Sequence, residues 1–421
     1  MNGAPASFSD IFLGRQPLID RSQAVIGYEL LFRDTHENVS HITSARAATA
    51  DVVCKAFAEF GLLSALGDQK AFINVDEDFL CDDAVEFLPK EIVLLELDAS
   101  TELSPRLIER CNELRQIGYE FSVSGITQLS ESLQQILRLA SYSKMDVNAV
   151  LPGGNISAIM SGLRASQTKL IANRVESVEE KKICTDLGFD IFQGYYFAHP
   201  IIVEGRRLDA SFQGLIRLIN MMNENADLAK IESAFKGEPG LSINLLRLTN
   251  SASAGLNVRI SSIRHALTVV GLRQIQRWLA LLVFSHAGSQ ANLTNNPLLQ
   301  LAALRGCFME LLAYRCFPAK RDLRDPAFIT GLMSFMPAAL GMSMADILSQ
   351  ISTTNEVRLA LANREGDLGL MLELTERYDN EDIDGTAVLL RRIGNKVTLQ
   401  TLGLCLAETI AWVQQLGSEV E

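Results

Sequence analysis

The sequence predicts an α/β barrel followed by an all-helical domain, and two patterns indicate this fold class. Through the first half of the chain, short strand-like apolar runs alternate with amphipathic helical segments, as in repeated βα units. Beyond about residue 203 the strand signals almost vanish while helical periodicity continues. The 421 residues exceed what a single ordinary core accommodates. We therefore predict two domains, at residues 1–203 and 204–421.

The composition excludes several classes of protein. It is globular, with 48% hydrophobic and 21% charged residues, and the net charge of −12 argues against a nucleic-acid binder. The seven cysteines are scattered, with no Cys-x-x-Cys pair, which favours free thiols over a disulfide framework or a zinc site. We see no signal peptide and no apolar run near the roughly 18 residues of a membrane span. A cytoplasmic protein is expected.

The predicted strands of the first domain are short apolar runs, and most of them are separated by helices. They lie at 11–13, 25–32, 71–75, 91–97, 119–123, 142–145, 169–172 and in the run from 190 to 193. The predicted helices lie at 43–60, 103–117, 129–139, 156–165 and 178–187, and glycines at 61, 118 and 188 stop three of them. Only a polar turn, Asp20–Gln23, separates the first two strands. The repetition predicts a closed barrel.

Polar residues stand near the end of almost every predicted strand. In barrels of parallel strands, the residues that bind or react lie at these ends. Strand ends also meet loops and are often polar for that reason alone, so the pattern by itself leaves both explanations open. The residues are Glu29, Asn74, Glu96, Ser124 with Gly125, Lys144, Asn173 and Gln193.

Taken together, these stretches resemble the EAL domain, the family that hydrolyses cyclic dimeric GMP. The similarity covers about residues 8–203, and Arg15-Gln-Pro-Leu18 is similar to the variant that is fused to a C-terminal HDOD domain. The resemblance implies a TIM-type barrel with a residual site at Glu29, Asn74, Glu96, Lys144 and Gln193. The motifs that carry it are Tyr28-Glu-Leu-Leu-Phe-Arg33, Ile73-Asn74, Leu95-Glu96, Ser143-Lys144-Met-Asp146, and Arg174-Val-Glu176 with Asp190-Ile-Phe-Gln-Gly-Tyr195.

The departures from the family pattern concern its metal ligands. Ser124 and Gly125 stand where active members carry two aspartates, Asn173 replaces a glutamate, and Ala99, beside Asp98, replaces another acid. Hydrolysis with two metal ions needs several carboxylates to hold them. Over six strand-end positions, active members would present a formal charge of −4, whereas this chain presents −1. We therefore predict no catalytic residue, no metal and no cofactor in the barrel.

The second half resembles the HDOD domain over about residues 207–400, which implies an HD-like helical bundle without the catalytic residues of HD phosphohydrolases. None of the five histidines precedes an aspartate, and Ser334-Phe335 stands where the His-Asp pair would be. Ser261 or Ser262 is predicted to cap the helix that follows. The motifs are Pro239-Gly-Leu241, Leu245-Leu-Arg-Leu-Thr-Asn-Ser251, Ile260-Ser-Ser-Ile263, Ala266-Leu267 and Val270-Gly-Leu272.

From these residues we predict a catalytically inactive EAL–HDOD signal-transduction protein that binds protein partners through its HDOD domain. The resemblance associates it with cyclic-di-GMP-linked control of motility or biofilm. One alternative is an active phosphodiesterase that uses Glu29, Asn74, Glu96 and Lys144 with Asp98 or Asp146. The other is a non-hydrolytic cyclic-di-GMP sensor in which Arg33 and Lys144 bind the phosphates. The interaction hypothesis is favoured over nucleotide binding, and Gln193 is expected to be a retained wall of the former site.

Overall fold

A computed structural model describes most of the chain. The described residues are 11–34, 53–54, 56–57, 60–67, 69–150, 156–194, 196, 210–238, 241–243, 245–246, 249, 262–287, 296–394 and 397–420. The predicted helix at 43–60 and the predicted domain boundary at 203 fall largely or wholly outside these residues.

Eight strands close into a barrel in the order of the chain, which confirms the predicted (β/α) barrel. Strands β2 to β8 are mutually parallel, while β1 is antiparallel to both of its neighbours, β2 and β8. The strands are β1 Ile11–Asp20, β2 Val25–Asp34, β3 Lys70–Val75, β4 Val93–Asp98, β5 Glu120–Ser124, β6 Tyr142–Asp146, β7 Lys169–Asn173 and β8 Ile191–Gln193.

The strand β1 is longer than the predicted run at 11–13, because Pro17 does not end it. A proline is tolerated in a strand where its missing N–H is not needed by a neighbouring strand. β8 pairs with β1 only at Leu18–Asp20, so no partner from β8 requires the N–H that Pro17 lacks. The polar turn that was predicted at Asp20–Gln23 then produces an antiparallel hairpin rather than a βα unit.

Helices connect the parallel strands and contain most of the described residues of the second half. In the first half they are α1 Leu62–Leu66, α2 Glu77–Leu80, α3 Pro105–Gln116, α4 Glu131–Leu137, α5 Val147–Val150, α6 Ile156–Ala165 and α7 Val178–Leu187, with a 3₁₀ turn at Asp83–Phe87. In the second half they are α8 Ala210–Asn223, α9 Leu228–Lys236, α10 Ile263–Val270, α11 Leu272–Ala287, α12 Pro297–Cys316, α13 Arg324–Met333, α14 Met336–Leu340, α15 Met344–Gln350, α16 Asn355–Asn363, α17 Gly366–Asp379, α18 Ile383–Arg392 and α19 Leu399–Val420, with a 3₁₀ turn at Arg321–Leu323.

Local capping explains where several of these helices begin and end. Ser177 and Glu180 form a capping box at the start of α7, and Gly188 ends that helix in the left-handed conformation. Ser262, rather than Ser261, is the cap of α10 and accepts a hydrogen bond from the backbone N–H of His265.

None of the described helices is by itself long and apolar enough to cross a membrane. The bent pair α10 and α11 meets the length and composition criteria only when joined across its 105° bend.

The barrel core contains one large apolar side chain from each of six strands. Because inward-facing residues alternate along every strand, these side chains meet in a layer on the barrel axis. The rings of Phe72 and Tyr142 pack edge to face with their centroids 5.4 Å apart. The buried cluster is Leu18, Phe72, Leu94, Tyr142, Ile171 and Ile191.

The chain divides into two compact units that differ from the predicted domains at their C-terminal end. The first unit comprises Met1–His199 together with Arg377–Gln414, and the second comprises Pro200–Glu376 with Gln415–Glu421. Residues 377–414, which we expected in the helical domain, thus group with the barrel. Tyr378 shows why, since its ring packs against Phe12 at 4.9 Å between centroids and its hydroxyl donates to the carbonyl of Leu13.

Gly194, which follows β8, has a backbone conformation and a close neighbour that leave no room for a side chain. Its φ of +143° is rarely adopted by residues with a side chain. A Cβ at this position would lie 2.1 Å from the carbonyl oxygen of Val175. Two backbone hydrogen bonds fix this approach, from Val175 N–H to Gln193 and from Tyr196 N–H to Val175. The glycine of the Gln-Gly-Tyr motif is therefore a requirement for closing the barrel.

We expect Gly194→Ala to destabilise the barrel by about 3 kcal/mol, the upper end of the cost of a strained backbone or an overpacked contact. Gly61→Ala is the matched control, because Gly61 has a φ of +63° and nothing lies within 4 Å of its would-be Cβ. It should cost only about 1 kcal/mol, the conformational part alone. Scanning calorimetry of both full-length variants measures the difference. Equal costs would mean that the Val175 contact contributes nothing.

Candidate functional site

The ammonium of Lys144 lies between two buried carboxylates inside the barrel. Its Nζ donates to Glu29 Oε2 at 2.9 Å and to Glu96 Oε1 at 2.8 Å. Lys144 lies on β6, Glu29 on β2 and Glu96 on β4. Their exposed fractions are 1%, 8% and 1%. Charges so far from water persist only when they are paired and hydrogen-bonded.

Neutral donors satisfy the two carboxylate oxygens that Lys144 does not reach and add a second hydrogen bond to Glu29 Oε2. Asn74 Nδ2 donates to Glu29 Oε1 at 2.7 Å, and Gln193 Nε2 donates to Glu29 Oε2 at 2.5 Å. Ser122 Oγ donates to Glu96 Oε2 at 3.0 Å. The structure thus brings together all five predicted residues of the residual site. Glu29 lies in the middle of β2 rather than near its end, because β2 continues to Asp34.

The pKa values of the three charged groups follow from this arrangement. Burial by itself would raise the pKa of Glu29, but the Lys144 ammonium and the bonds from Gln193 and Asn74 outweigh it and lower the pKa. For Glu96, burial prevails over the attraction of Lys144, and repulsion from Glu29 adds to it, so its pKa is raised. The pKa of Lys144 is raised, because the two carboxylates together outweigh its burial.

At the positions where the EAL resemblance implies further acids, this barrel has residues that contact nearby backbone groups or require a special backbone conformation. Asn173, the last residue of β7, accepts a hydrogen bond from the backbone N–H of Arg174 at 2.8 Å. Gly125 has a φ of +69°, and a Cβ there would lie 2.7 Å from Oδ2 of Asp98. Ser124 Oγ makes only a long contact, 3.5 Å, to the carbonyl of Leu97. A side chain at position 125 would therefore meet both backbone strain and a carboxylate.

The two acids considered as replacements are also engaged elsewhere. Asp98 is exposed, and its Oδ1 accepts hydrogen bonds from the backbone N–H and the hydroxyl of Ser100. Asp146 pairs with Arg174 at 3.1 Å and accepts from the backbone N–H of Asn148 at 3.0 Å. Neither carboxylate is among the partners of Lys144. These contacts engage both acids at the last residues of β4 and β6.

The donor set does not fit the two divalent ions that the EAL resemblance implies. A pair of magnesium ions needs several hard oxygen ligands in near-octahedral geometry. Here two carboxylates face inward, and one ammonium already bridges them. Among the described residues, no three histidine, cysteine or acidic side chains come close enough together to hold a metal ion.

Three further residues belong to this network and were missed at the level of sequence. Gln16 accepts from Gln193 at 2.8 Å and donates to Glu381 Oε1 at 2.7 Å. Ser122 lies on β5 two residues before Ser124, so alternation along the strand would have placed both side chains on the same face. Gln16 sits in the Arg-Gln-Pro-Leu motif, and alternation along β1 would have placed it inward. No local signal pointed to Glu381. The predicted phosphate ligand Arg33 lies in β2, but its side chain falls outside the described residues.

In the helical half, the position of the missing His-Asp pair is filled by an arginine contact. The guanidinium of Arg305 lies over the ring of Phe335, with its Cζ 3.9 Å from the centroid, and donates to Ser334 Oγ at 3.0 Å. A neighbouring arginine, Arg277, pairs with Glu310 and Asp325 at 2.5 and 2.9 Å. The two residues at the predicted position of the pair are thus both engaged by Arg305.

Comparison with known proteins agrees with this architecture. The HDOD domain family matches residues 209–365, ending before the residue 400 that the motifs suggested. "Cyclic di-GMP phosphodiesterase CdgJ" of Vibrio cholerae is 28% identical over 410 residues, covering 96% of this chain and 93% of CdgJ. "Uncharacterized protein YuxH" of Bacillus subtilis is 26% identical over 422 residues, covering 96% of this chain and 98% of YuxH.

Solved EAL structures are more distant. The EAL enzyme Bd1971 in its cAMP- and cyclic-di-GMP-bound form matches with a TM-score of 0.38 and 20% identity, over 45% of this chain and 62% of that one. The EAL-domain protein YkuI of Bacillus subtilis, in complex with cyclic di-GMP and calcium, matches with a TM-score of 0.38 and 16% identity, over 56% and 74%. Likenesses at this level do not bear on ligand or chemistry.

The fold and the comparisons together define a barrel with EAL-like motifs that is joined to an HDOD domain. The described strands form a closed barrel whose interior carries the EAL-like motifs, and an HDOD domain follows it. The predicted resemblance to an EAL–HDOD protein is therefore confirmed, as is the predicted combination of an α/β barrel with a helical domain.

We expect Lys144→Met to destabilise the barrel by about 3–5 kcal/mol at neutral pH, because it leaves two buried carboxylates without a cation. Without the ammonium, burial raises the pKa of both acids with no opposing cation, so we expect both to bind protons more readily than in the unfolded chain. The lost stability should therefore return as the pH falls and the acids take up protons, and should disappear again as it rises.

Lys70→Met is the matched control, since Lys70 pairs with Glu120 at 2.9 Å on the barrel surface and should contribute less than about 1 kcal/mol. Thermal unfolding of both full-length variants between pH 5 and 8 measures the effect. A Lys144→Met deficit that is small, or that does not shrink in acid, would show that the carboxylates are not held by this lysine.

Proposed function

We propose that this protein is a non-hydrolytic regulator, linked to cyclic-di-GMP signalling, that acts through protein–protein contact of its HDOD domain. The observation that carries the proposal is the position of Lys144, whose ammonium bridges Glu29 and Glu96 inside the barrel. A phosphodiesterase would hold divalent ions with these acids and would use further carboxylates to complete their coordination.

The balance of charge supports this proposal. A single ammonium offsets one of the two buried carboxylates. Burial is the main reason why the pKa of Glu96 is raised, and repulsion from Glu29 adds to it. Binding a divalent ion there would require Lys144 to leave a position where it makes two charge-assisted hydrogen bonds. Asp98 and Asp146, at the ends of β4 and β6, are engaged by Ser100 and by Arg174 instead.

The helical domain supports the interaction part of the proposal. Ser334 and Phe335 stand at the position of the HD dyad, and Arg305 donates to the first and stacks on the second. This leaves a helical bundle with surfaces between its helices. Around Gly271, the side chains of Val269 and Leu272 are 43% and 38% exposed. Exposed apolar side chains at a break between two helices are suited to contact another protein.

A second candidate function is hydrolysis of cyclic di-GMP, favoured by the similarity to CdgJ, whose name assigns it that activity. In this alternative, substrate binding would separate Lys144 from the two glutamates, and Asn74 with Glu29 and Glu96 would remain as metal ligands. The two candidates make opposite predictions for the purified protein.

We expect the full-length protein to show no cyclic-di-GMP turnover with excess Mg²⁺ or Mn²⁺, at the level of a Glu29→Ala variant assayed beside it. The physical reason is the shortage of carboxylates for two metal ions. Product formation is measured by chromatography over a long incubation. Metal-dependent turnover that disappears in Glu29→Ala would establish the phosphodiesterase instead. Calorimetric binding without turnover that weakens in Arg33→Ala would establish the sensor.

We expect partner capture by the full-length chain to depend on the exposed apolar pair of the HDOD domain. Val269→Asp and Leu272→Asp should each reduce the recovery of a captured protein, because a buried unpaired charge opposes association. Val178→Asp and Ile183→Asp are matched controls on α7 of the barrel, where the two side chains are 45% and 44% exposed. Recovery is measured by quantitative mass spectrometry after affinity capture. Loss only in the α7 variants would assign the contact to the barrel.

A further inference from the structure

The first two strands extend beyond the rest of the barrel as a two-stranded ribbon. β2 pairs with β3 only through Gly27–Leu30, and β8 pairs with β1 only at Leu18–Asp20. β1 and β2 nevertheless remain paired with each other as far as Ile11 and Asp34. Because the antiparallel β1 begins where β2 ends, the ribbon projects at the mouth where the parallel strands terminate.

One face of this ribbon is contacted by the C-terminal segment Arg377–Gln414, which belongs to the barrel unit. Phe12, Gly14 and Gln16 alternate along β1 and so share the face that leads into the barrel interior. Tyr378 packs on Phe12, and the Cγ of Glu381 lies 3.4 Å from where a Cβ on Gly14 would be. The absence of a side chain at position 14 thus allows Glu381 to come close to the strand.

From Glu381 an unbroken series of hydrogen bonds leads to the buried charges. Gln16 Nε2 donates to Glu381 Oε1, Gln193 Nε2 donates to Gln16 Oε1, and the same Gln193 Nε2 donates to Glu29 Oε2. Glu29 in turn accepts from Lys144. The series joins residues that are 365 positions apart in the chain, and every member of it lies in the barrel unit.

Because two members of this series are glutamines, the donor-to-acceptor direction of its hydrogen bonds depends on the residue at its outer end, Glu381. A glutamine amide has a donor end and an acceptor end of almost the same shape, so only its partners decide which end points where. Gln193 is fully buried, and its Oε1 has no hydrogen-bond partner among the described residues. Its orientation therefore rests on its Nε2 contacts, to Glu29 and to the Oε1 of Gln16.

The orientation of Gln16 is fixed from outside in the same way. Its Oε1 faces Gln193 because its Nε2 faces an acceptor, the carboxylate of Glu381. A carboxylate is an acceptor at both oxygens and cannot present a donor while ionised. It thus removes the ambiguity that a chain of amides alone would have.

We propose that Glu381 is a positioning residue of the barrel site, which orients Gln16 and, through it, the Gln193 amide that donates to Glu29. The site is accordingly incomplete in a barrel that ends at residue 203, although every EAL-like motif lies before that point. This positioning role does not depend on whether the barrel binds or hydrolyses a nucleotide. A negative result for Glu381 would therefore leave the proposed function standing, and the reverse also holds.

The test uses the full-length protein labelled with [¹⁵N]glutamine, in which the side-chain amides of Gln16 and Gln193 are assigned from the signal lost in Gln16→Met and Gln193→Met. In Glu381→Ala both amide signals should shift, and the hydrogens of the Gln193 amide should exchange roughly two- to tenfold faster, as expected for the loss of about one hydrogen bond. Glu381→Gln keeps an acceptor oxygen but adds a third amide that can also present its donor end, so both signals and the exchange rate should lie between those of the unmodified protein and Glu381→Ala.

Two control variants separate positioning from simple docking of the segment. Asp384→Ala removes an exposed carboxylate three residues away and should leave the amide signals unchanged. Tyr378→Phe removes the hydrogen bond to Leu13 but leaves Glu381, and it should not alter them either. Unchanged signals in Glu381→Ala would overturn the proposal. So would a Glu381→Gln variant that behaves like Glu381→Ala, or a Tyr378→Phe variant that reproduces its effect.

Discussion

The pairing of Lys144 with Glu29 and Glu96 is the interaction on which the rest of the barrel interior depends. Charged groups lose several kcal/mol of hydration when they are buried, and pairing alone rarely compensates. The interior therefore supplies neutral donors as well: Asn74 and Ser122 serve the two oxygens that Lys144 does not reach, and Gln193 gives Glu29 Oε2 a second donor. The pairing and these donors explain why polar residues occupy inward positions on seven of the eight strands, beside a layer of large apolar side chains.

In both halves of the chain a side-chain cation lies among the residues to which the family resemblances point. In the barrel the ammonium of Lys144 lies between Glu29 and Glu96. In the helical half the guanidinium of Arg305 stacks on Phe335 and donates to Ser334, the two residues at the position predicted for an HD dyad. Each cation stabilises the groups around it through charge-assisted hydrogen bonds or stacking.

The open edge of β1 accounts for the grouping of the C-terminal segment with the barrel. β8 has only three residues, so most of β1 has no partner on that side among the described strands, and an unpaired strand edge invites pairing with other chains. Tyr378 donates to the carbonyl of Leu13, and Glu381 reaches Gln16. The segment therefore protects an edge and contributes to the site through the same contact.

Sequence alone determined the features whose signals are local. Alternating strand and helix patterns predicted the barrel, and the helix at 178–187 was predicted to the residue, because a capping serine and a terminal glycine mark its ends. The strand-end positions pointed to the five polar residues that meet inside. Only the tertiary structure decided that Lys144 bridges the two acids and that Glu381 joins their network, because these contacts span up to 365 positions and depend on barrel closure, which no local pattern encodes.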